Sequence, residues 1–332
     1  MSQWLKRLGE FFVVGFPGET PPRAFLDFLT EEQIGGVILF EDNCLTHQTA
    51  RENVDVIRQH LQSVRPFIAV DQEGGRVCRL KGAPAEYSSA QSYGLTNQLE
   101  RFSEDYSRSA VFLESIGINV NLMPVCDISL ARDSICLADR CFGETASVVA
   151  GFVAGAVEIS RRSGLLSCLK HFPGLGAASI DPHRSTAVID CDQLVWEQRE
   201  RIPFVAGVEA GADLIMTTHV RFPKFDSHIV TGSRKIISTL IRQALSFDGP
   251  VVTDDLLMSG ADELGHIGER SVAAFRAGHD ILLFGQDYEA AMQAFDFFRE
   301  CCERGEISEE QLAASFSRVS GLRFKLKSSL VS

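Results

Sequence analysis

Eight short apolar runs recur along the chain and constrain its fold more than any other feature. Each is almost continuously apolar, as expected of strands that are buried on both faces of a parallel sheet. Between them lie stretches with helical periodicity, such as residues 98–116 and 234–245. This alternation predicts a (β/α)₈ TIM barrel, with an open doubly wound sheet as the alternative. The runs occupy residues 11–16, 35–40, 66–70, 118–125, 165–172, 212–220, 249–255 and 279–285.

The length of 332 residues would suit two average domains, but barrels of this size are often single domains. No linker or low-complexity stretch divides the chain. We therefore predict one barrel domain over residues 1–332, with its core at about 10–290 and C-terminal helices at about 286–327. TEEQ (30–33) and SEEQ (308–311) have the form of capping boxes and predict two helix starts.

The charge of the chain bears on its partners. A net charge of −12, with no basic run, disfavours nucleic acid as a partner. No apolar run approaches the roughly 18–20 residues that a membrane span needs, and no apolar segment of signal-peptide length follows the N-terminus. The expected partner is a small molecule, and the sequence does not indicate an oligomeric state.

The cysteines indicate where the protein is located, and the metal and nucleotide motifs that the sequence lacks bear on its cofactors. The nine cysteines are scattered and include no C-x-x-C pair, which fits a reducing compartment, so we predict a cytoplasmic protein. The sequence contains no H-E-x-x-H motif and no tight His/Cys cluster, so a metal site is not expected. No glycine-rich dinucleotide or phosphate-binding motif follows a strand, so no cofactor is expected.

Candidate functional residues follow from the fold, because barrel enzymes carry their active sites just beyond the carboxyl ends of the strands. Polar residues cluster at those positions in this sequence. They are VDQEGGRVCRL (70–80), Asp127, ADRCFGE (138–144), KHFPGLGAASIDPHRS (170–185), His219 and TDDLLM (253–258).

The stretch after the fifth run is rich in groups that move protons. Asp181 lies two residues before His183 and could fix the tautomer of that imidazole and favour its protonated form. The alternative is a surface loop with a stray histidine. Lys170 could donate hydrogen bonds to a substrate, form a Schiff base, or take part in a structural ion pair.

Two adjacent carboxylates, Asp254 and Asp255, end the seventh run. Successive side chains of an extended segment point to opposite sides, so one is expected to face the barrel mouth and the other to point elsewhere. The alternative is that the pair only caps the following turn, although one carboxylate can cap while the other acts in the site. The pair Gly74-Gly75 predicts a tight turn, and His219 is interpreted as a hydrogen-bonded wall residue.

Taken together, KHFPG followed by D-x-H, DQEGGRVxR, DR-x-FG and the strand-seven x-DDL-x-M resemble the family 3 glycoside hydrolases. The resemblance extends from about residue 35 to about residue 285. It is greatest to the single-domain bacterial β-N-acetylglucosaminidases of cell-wall recycling. The fold that it implies is a (β/α)₈ barrel.

The resemblance also implies roles for individual residues. Asp254 corresponds to the catalytic nucleophile of a retaining mechanism, and His183 to the acid/base, with Asp181 as its partner. Contacts with sugar hydroxyls are implied for the remaining site residues, Asp71, Arg79, Arg140, Lys170 and His171. The implied activity is an exo-β-N-acetylglucosaminidase acting on peptidoglycan fragments.

The chain departs from the family pattern in the loop after the fifth run. The family usually has KHFPGHGD followed by DSH, whereas here Leu175, Ala177 and Pro182 replace the histidine, the aspartate and the serine. The His183–Asp181 pair is intact, but the aglycone preference or the loop motion could differ.

Three other functions remain open at this stage. The first is phosphorolysis or another sugar specificity, since a neutral histidine would not repel phosphate. The second is a Schiff-base lyase that uses Lys170. The third is a sugar-binding barrel without turnover.

Overall fold

Eight parallel strands form a single sheet that curves into a barrel. A computed structural model describes residues 4–62, 64–130, 137–178 and 187–326 of the chain. The first strand pairs with both the second and the last, and a parallel bridge between Val252 and Ile281 links the last two strands. The predicted (β/α)₈ barrel is therefore confirmed. The strands are β1 (Phe12–Val14), β2 (Gly36–Leu39), β3 (Phe67–Val70), β4 (Val120–Asn121), β5 (Leu166–Phe172), β6 (Leu214–Thr217), β7 (Val251–Val252) and β8 (Leu282–Phe284).

Each strand lies within one of the eight apolar runs, and every strand residue is buried. Burial on both faces explains why the runs are continuous rather than alternating. The longest strand is β5, which carries Lys170 and His171 at its carboxyl end. An antiparallel hairpin of Gln72–Gly74 and Val77–Cys78 follows β3 and stands at the same end of the barrel.

Helices separate most of the strands and cover the outside of the barrel. Two helical stretches contain π-helical segments, Trp196–Glu200 and Ile237–Ala244. Among the described residues, no helix is both long enough and apolar enough to cross a membrane. The α-helices are α1 (Arg23–Glu31), α2 (His47–His60), α3 (Ala90–Leu95), α4 (Leu99–Ser115), α5 (Ala146–Ser163), α6 (Gln193–Val195), α7 (Arg201–Glu209), α8 (Arg234–Ile236), α9 (Ile267–Ala277), α10 (Tyr288–Glu303) and α11 (Glu309–Lys325).

One of the two predicted capping boxes begins a helix and the other does not. The Ser308 hydroxyl accepts a hydrogen bond from the Gln311 amide and caps α11. Thr30, by contrast, lies in the last turn of α1, where its hydroxyl donates to the Leu26 carbonyl at 2.9 Å. The prediction at residues 30–33 is wrong because α1 already begins at Arg23, ahead of its buried apolar residues.

The amino-terminal end of the barrel is closed by the last helix, α11. Arg323 of α11 pairs with Glu10 and donates to the Glu10 and Gly35 carbonyls at 3.0 and 3.2 Å. Its guanidinium carbon lies 5.0 Å from the centre of the Phe67 ring. A side chain at Gly35 would collide with Arg323 and with the Glu10 backbone. The arginine therefore fastens the C-terminal helix beneath β1, β2 and β3.

Candidate active site

A cavity of about 470 Å³ opens at the carboxyl ends of the strands. This volume is in the range of small-molecule sites and suits a single sugar ring. Asp254 and all five predicted sugar-binding residues line it, although they come from different parts of the chain. The charged residues among its lining are Asp71, Arg76, Arg79, Arg140, Lys170, Asp254 and Asp255, together with His171.

Lys170 occupies the floor of this cavity and pairs with two carboxylates. Its Nζ atom lies 2.7 Å from Asp71 Oδ1 and 2.6 Å from Glu73 Oε1. Only 2% of the lysine side chain is exposed. Arg79 reaches the other oxygen of Asp71 at 3.5 Å. The lysine is thus held as a fixed donor rather than as a mobile surface cation.

Glu73 is a central residue of the site that the sequence analysis did not identify. Both of its oxygens contact Arg140, at 2.7 Å from Nε and 2.9 Å from Nη2. This two-point pairing fixes the plane of the guanidinium. A signal for Glu73 was present in the sequence, because it lies two residues after Asp71 and side chains two apart in a strand share a face.

The charges in this network keep one another ionised. Burial alone would raise the pKa of Asp71, but Lys170 and Arg79 outweigh it and hold that pKa below its usual value. Burial of Glu73 is likewise outweighed by Arg140 and Lys170, and its pKa lies well below the ordinary range. The carboxylates in turn raise the pKa of Lys170 against the effect of its burial. All of these groups are charged at neutral pH.

The hairpin after β3 positions Asp71, Glu73 and Arg79. The buried Gln72 side chain accepts from the Arg79 and Leu80 amides at 2.9 and 3.0 Å and thereby closes the hairpin. Gly74 and Gly75 have φ values of 85° and 59°, which confirms the tight turn predicted for them. Added side chains there would collide with the segment that contains Tyr87 and Ser89.

His171 is held between a carboxylate and a guanidinium. Its Nδ1 atom lies 2.7 Å from Asp127 Oδ2, and its Nε2 atom lies 3.4 Å from Arg140 Nη2. Because a carboxylate accepts and a guanidinium only donates, Nδ1 carries the proton and Nε2 presents its lone pair. This arrangement fixes the orientation of the imidazole ring.

Both carboxylates after β7 line the cavity, although the sequence analysis expected only one of them to face the barrel mouth. The strand ends at Val252, so the alternation of an extended segment does not continue through Asp254 and Asp255. Asp255 Oδ1 accepts from the Leu257 and Gly285 amides at 3.0 and 2.9 Å. This oxygen therefore caps the turn and ties β7 to β8. Asp254 Oδ1 accepts from the next backbone amide at 2.8 Å.

His219 is a buried wall residue, in agreement with its interpretation from the sequence. Its Nδ1 atom lies 2.7 Å from the Thr231 hydroxyl oxygen, and its Nε2 atom lies 2.9 Å from the Asp255 carbonyl oxygen. His219 therefore supports the backbone next to Asp254.

The predicted acid/base pair, His183 and Asp181, lies outside the described residues, as does Pro182. The described part of the same loop, up to residue 178, borders the cavity region through Leu175, whose amide donates to Asp127 at 2.6 Å. Within the described ranges, no group of three or more His, Cys, Asp or Glu side chains could hold a metal ion.

Comparison with known families gives one extended match. The family model described as "Glycosyl hydrolase family 3 N terminal domain" matches residues 6–322. A beta-hexosaminidase of Xanthomonas axonopodis pv. citri is 30% identical, with 82% of each chain aligned. Beta-hexosaminidase A of Pseudoalteromonas piscicida is 29% identical over 94% of this chain and 57% of its own length.

Two solved structures resemble the barrel and have similar levels of identity. A glycoside hydrolase family 3 beta-N-acetylglucosaminidase from Paenibacillus sp. str. FPU-7 has a TM-score of 0.93 and 29% identity, over 98% of this chain and 62% of that protein. A beta-N-acetylhexosaminidase from Beutenbergia cavernae has a TM-score of 0.89 and 27% identity, over 98% and 99%. The chain thus spans less than two thirds of the Paenibacillus and Pseudoalteromonas proteins and nearly all of the Beutenbergia protein.

Proposed function

The chain belongs to glycosyl hydrolase family 3, and on that premise we propose that it is a retaining exo-β-N-acetylglucosaminidase. It would remove terminal N-acetyl-β-glucosaminyl units from peptidoglycan fragments. The names of its relatives support the sugar class, and the motif resemblance to enzymes of cell-wall recycling supports the source of the substrate.

The observation that carries this proposal is the convergence of six residues on one cavity. Asp254 lines the same space of about 470 Å³ as the five residues to which the family resemblance gives sugar contacts. They are drawn from the segments after β3 and β7, from the carboxyl end of β5 and from the loop that contains Arg140. A pocket of this size, closed below by Lys170, suits a terminal sugar rather than the middle of a polymer.

The proposed mechanism has two steps at the anomeric carbon. Asp254 attacks it and forms a covalent glycosyl-enzyme, while His183, oriented by Asp181, protonates the leaving oxygen. His183 then removes a proton from the incoming water, which releases the sugar with its configuration retained. Lys170 and Arg140 would bind the hydroxyl groups as charged donors, and His171 would contact one of them.

A cytoplasmic location remains part of the proposal. Its support is the state of the thiols: the eight cysteines of the described residues are all free and buried. The proposed partner is a small carbohydrate, and neither a nucleic acid nor a membrane is part of the proposal.

The ion pairs of Lys170 weigh against the lyase alternative. Schiff-base formation requires a neutral amine, whereas two carboxylates at 2.7 and 2.6 Å raise the pKa of this lysine. Phosphorolysis differs from hydrolysis only in the second acceptor, so the same cavity serves both reactions.

The direct test uses 4-nitrophenyl N-acetyl-β-glucosaminide, with Asp254→Ala as the blank. We expect the wild type to release the aryl group much faster than the variant and to form free sugar at a rate independent of phosphate concentration. Sugar 1-phosphate that rises with phosphate would favour the phosphorylase. Equal rates for wild type and Asp254→Ala, with tight sugar binding, would favour a non-catalytic barrel and contradict the proposal.

A further inference from the structure

One fully buried carboxylate, Asp127, connects the cavity to the loop that follows β5. Its Oδ2 atom accepts from the His171 amide at 3.2 Å and contacts the His171 Nδ1 atom at 2.7 Å. Its Oδ1 atom accepts from the Leu175 amide at 2.6 Å. The two oxygens of a single side chain therefore hold a cavity residue and the first turn of the loop.

The loop base, which we define as residues 173–178, packs closely on the segment around Asp127. The Leu130 amide donates to the Gly176 carbonyl at 3.2 Å. A side chain at Gly176 would come within 1.7 Å of the Ile128 carbonyl oxygen, so only glycine permits this approach. The buried Trp196 indole donates to the Pro173 carbonyl at 3.1 Å on the other side. The loop base is thus fixed at both edges.

The sequence of the loop base makes its attachment depend on backbone groups. Leu175 and Ala177 carry no polar side-chain atoms, although the family resemblance places a histidine and an aspartate at those two positions. Among the described residues, the loop base makes its hydrogen bonds to the surroundings through its own backbone groups. One of these bonds, from the Leu175 amide, is accepted by a carboxylate, that of Asp127. Charged acceptors make stronger hydrogen bonds than neutral ones.

We propose that Asp127 is a positioning residue that couples the contact of His171 with the sugar to the placement of the loop base, from which the chain continues toward His183. The inference rests on the proposed function, because it takes His183 as the acid. Since one carboxylate serves both sites, loosening it affects sugar binding and proton delivery together. A displacement of about 1 Å at either site costs on the order of a hundredfold in rate.

The test compares two substrates that differ in their need for an acid. Phenyl N-acetyl-β-glucosaminide requires protonation of its leaving oxygen, whereas the 2,4-dinitrophenyl glycoside does not. For Asp127→Asn we expect kcat/KM to fall about a hundredfold on the phenyl substrate and about tenfold on the dinitrophenyl substrate. A merely structural role would lower both values by the same factor.

Two further variants separate the coupling from general damage. Gly176→Ala should displace the loop base without touching His171, so it should weaken phenyl cleavage while KM for the dinitrophenyl substrate stays near the wild-type value. Asp213→Asn is the matched control, because Asp213 is also buried and accepts from a β5 amide, that of Ser167, at 3.1 Å. It lies at the other end of β5 and should leave both rates unchanged.

Hydrogen exchange of the Leu175 amide supplies a readout that is independent of activity. We expect faster exchange over residues 173–178 in Asp127→Asn and wild-type exchange in Asp213→Asn. Equal factors on the two substrates, or unchanged exchange in Asp127→Asn, would overturn the inference. If the wild type cleaves neither substrate, the proposed function fails, and the exchange result alone decides whether Asp127 holds the loop base.

Discussion

Buried ion pairs occupy both ends of this barrel, but they have different surroundings. At the carboxyl end, Lys170 and Arg140 pair with Asp71 and Glu73 beside an open cavity. At the amino end, Arg323 of α11 pairs with Glu10 and also donates to the Glu10 and Gly35 carbonyls. The same residue types can therefore bind a ligand where space is left open and hold helices where a helix closes over them.

Two further clusters strengthen the contrast at the amino end. Asp280 accepts from the Val251 amide at 2.9 Å and pairs with Arg242 and Arg318 at 2.8 and 2.9 Å. Asp213 pairs with Lys325 of α11 at 2.8 Å. Each carboxylate connects a strand to a helix. We therefore expect substitutions at this end to change stability and those at the carboxyl end to change activity.

The largest expected difference is between two lysines that each pair with an aspartate, Asp71 for Lys170 and Asp213 for Lys325. Lys170→Met removes a charged donor from the cavity and should lower kcat/KM about a thousandfold. Lys325→Met removes a pair of similar length, at 2.8 Å from Asp213, but on a half-exposed lysine that does not line the cavity. It should leave kcat/KM within about twofold of the wild type. The measurement is steady-state kinetics on the aryl glycoside at a temperature where both variants are folded by circular dichroism.

The second contrast compares the two arginines that pair with Glu10 at the amino end of the barrel. Arg323→Met leaves the buried Glu10 without its main partner and should cost about 3–5 kcal/mol in the free energy of unfolding. Arg7 pairs with the same carboxylate at 2.6 Å, but 43% of its side chain is exposed, so Arg7→Met should cost only about 1 kcal/mol or less. Urea denaturation measures both. Equal losses, or a fall in activity per folded molecule for Arg323→Met, would contradict the division between the two ends.

A smaller effect concerns the barrel interior between the two ends. His279 is buried, with Nε2 2.8 Å from the Thr217 hydroxyl oxygen and Nδ1 2.9 Å from the Ala274 carbonyl oxygen. Burial lowers its pKa from 6.5 to about 3. The unfolded chain therefore binds this proton first as the pH falls, and stability should drop by about 1.5–2 kcal/mol between about pH 6.5 and pH 5.

Denaturation at several pH values tests this expectation. His279→Gln should flatten the dependence of stability on pH in that window. The lowered pKa values of Asp71 and Glu73 affect stability only at lower pH, where carboxylates become protonated. An unchanged slope in His279→Gln would contradict the assignment.

The sequence was sufficient to predict the barrel and most of the cavity. Continuous apolar runs mark strands buried on both faces, and residues just beyond those runs must meet at one end of a barrel. That rule predicts that Asp71, Lys170 and Asp254 meet at one end of the barrel. Local signals were less reliable, as the misplaced helix start at residues 30–33 shows.

The sequence did not reveal how the side chains of the site pair with one another. Asp127 and His171 are 44 positions apart, and Glu73 and Arg140 are 67 apart. No local pattern encodes such pairings, because they depend on how strands from distant parts of the chain align. The capping role that the sequence predicted for one of the two adjacent carboxylates falls to Asp255, but the place of both in the cavity wall was not predicted, since it depends on where β7 ends.

The central claim is that Asp254 attacks the sugar in the cavity at the carboxyl ends of the strands. A slow 5-fluoro analogue of N-acetyl-β-glucosaminyl fluoride should trap the intermediate, and mass spectrometry of the digested protein should locate it. We predict one sugar on the peptide that contains Asp254, with fragment ions assigning it to that residue rather than to Asp255. A sugar attached to another residue, or full turnover of the analogue with no adduct at any time, would contradict the account.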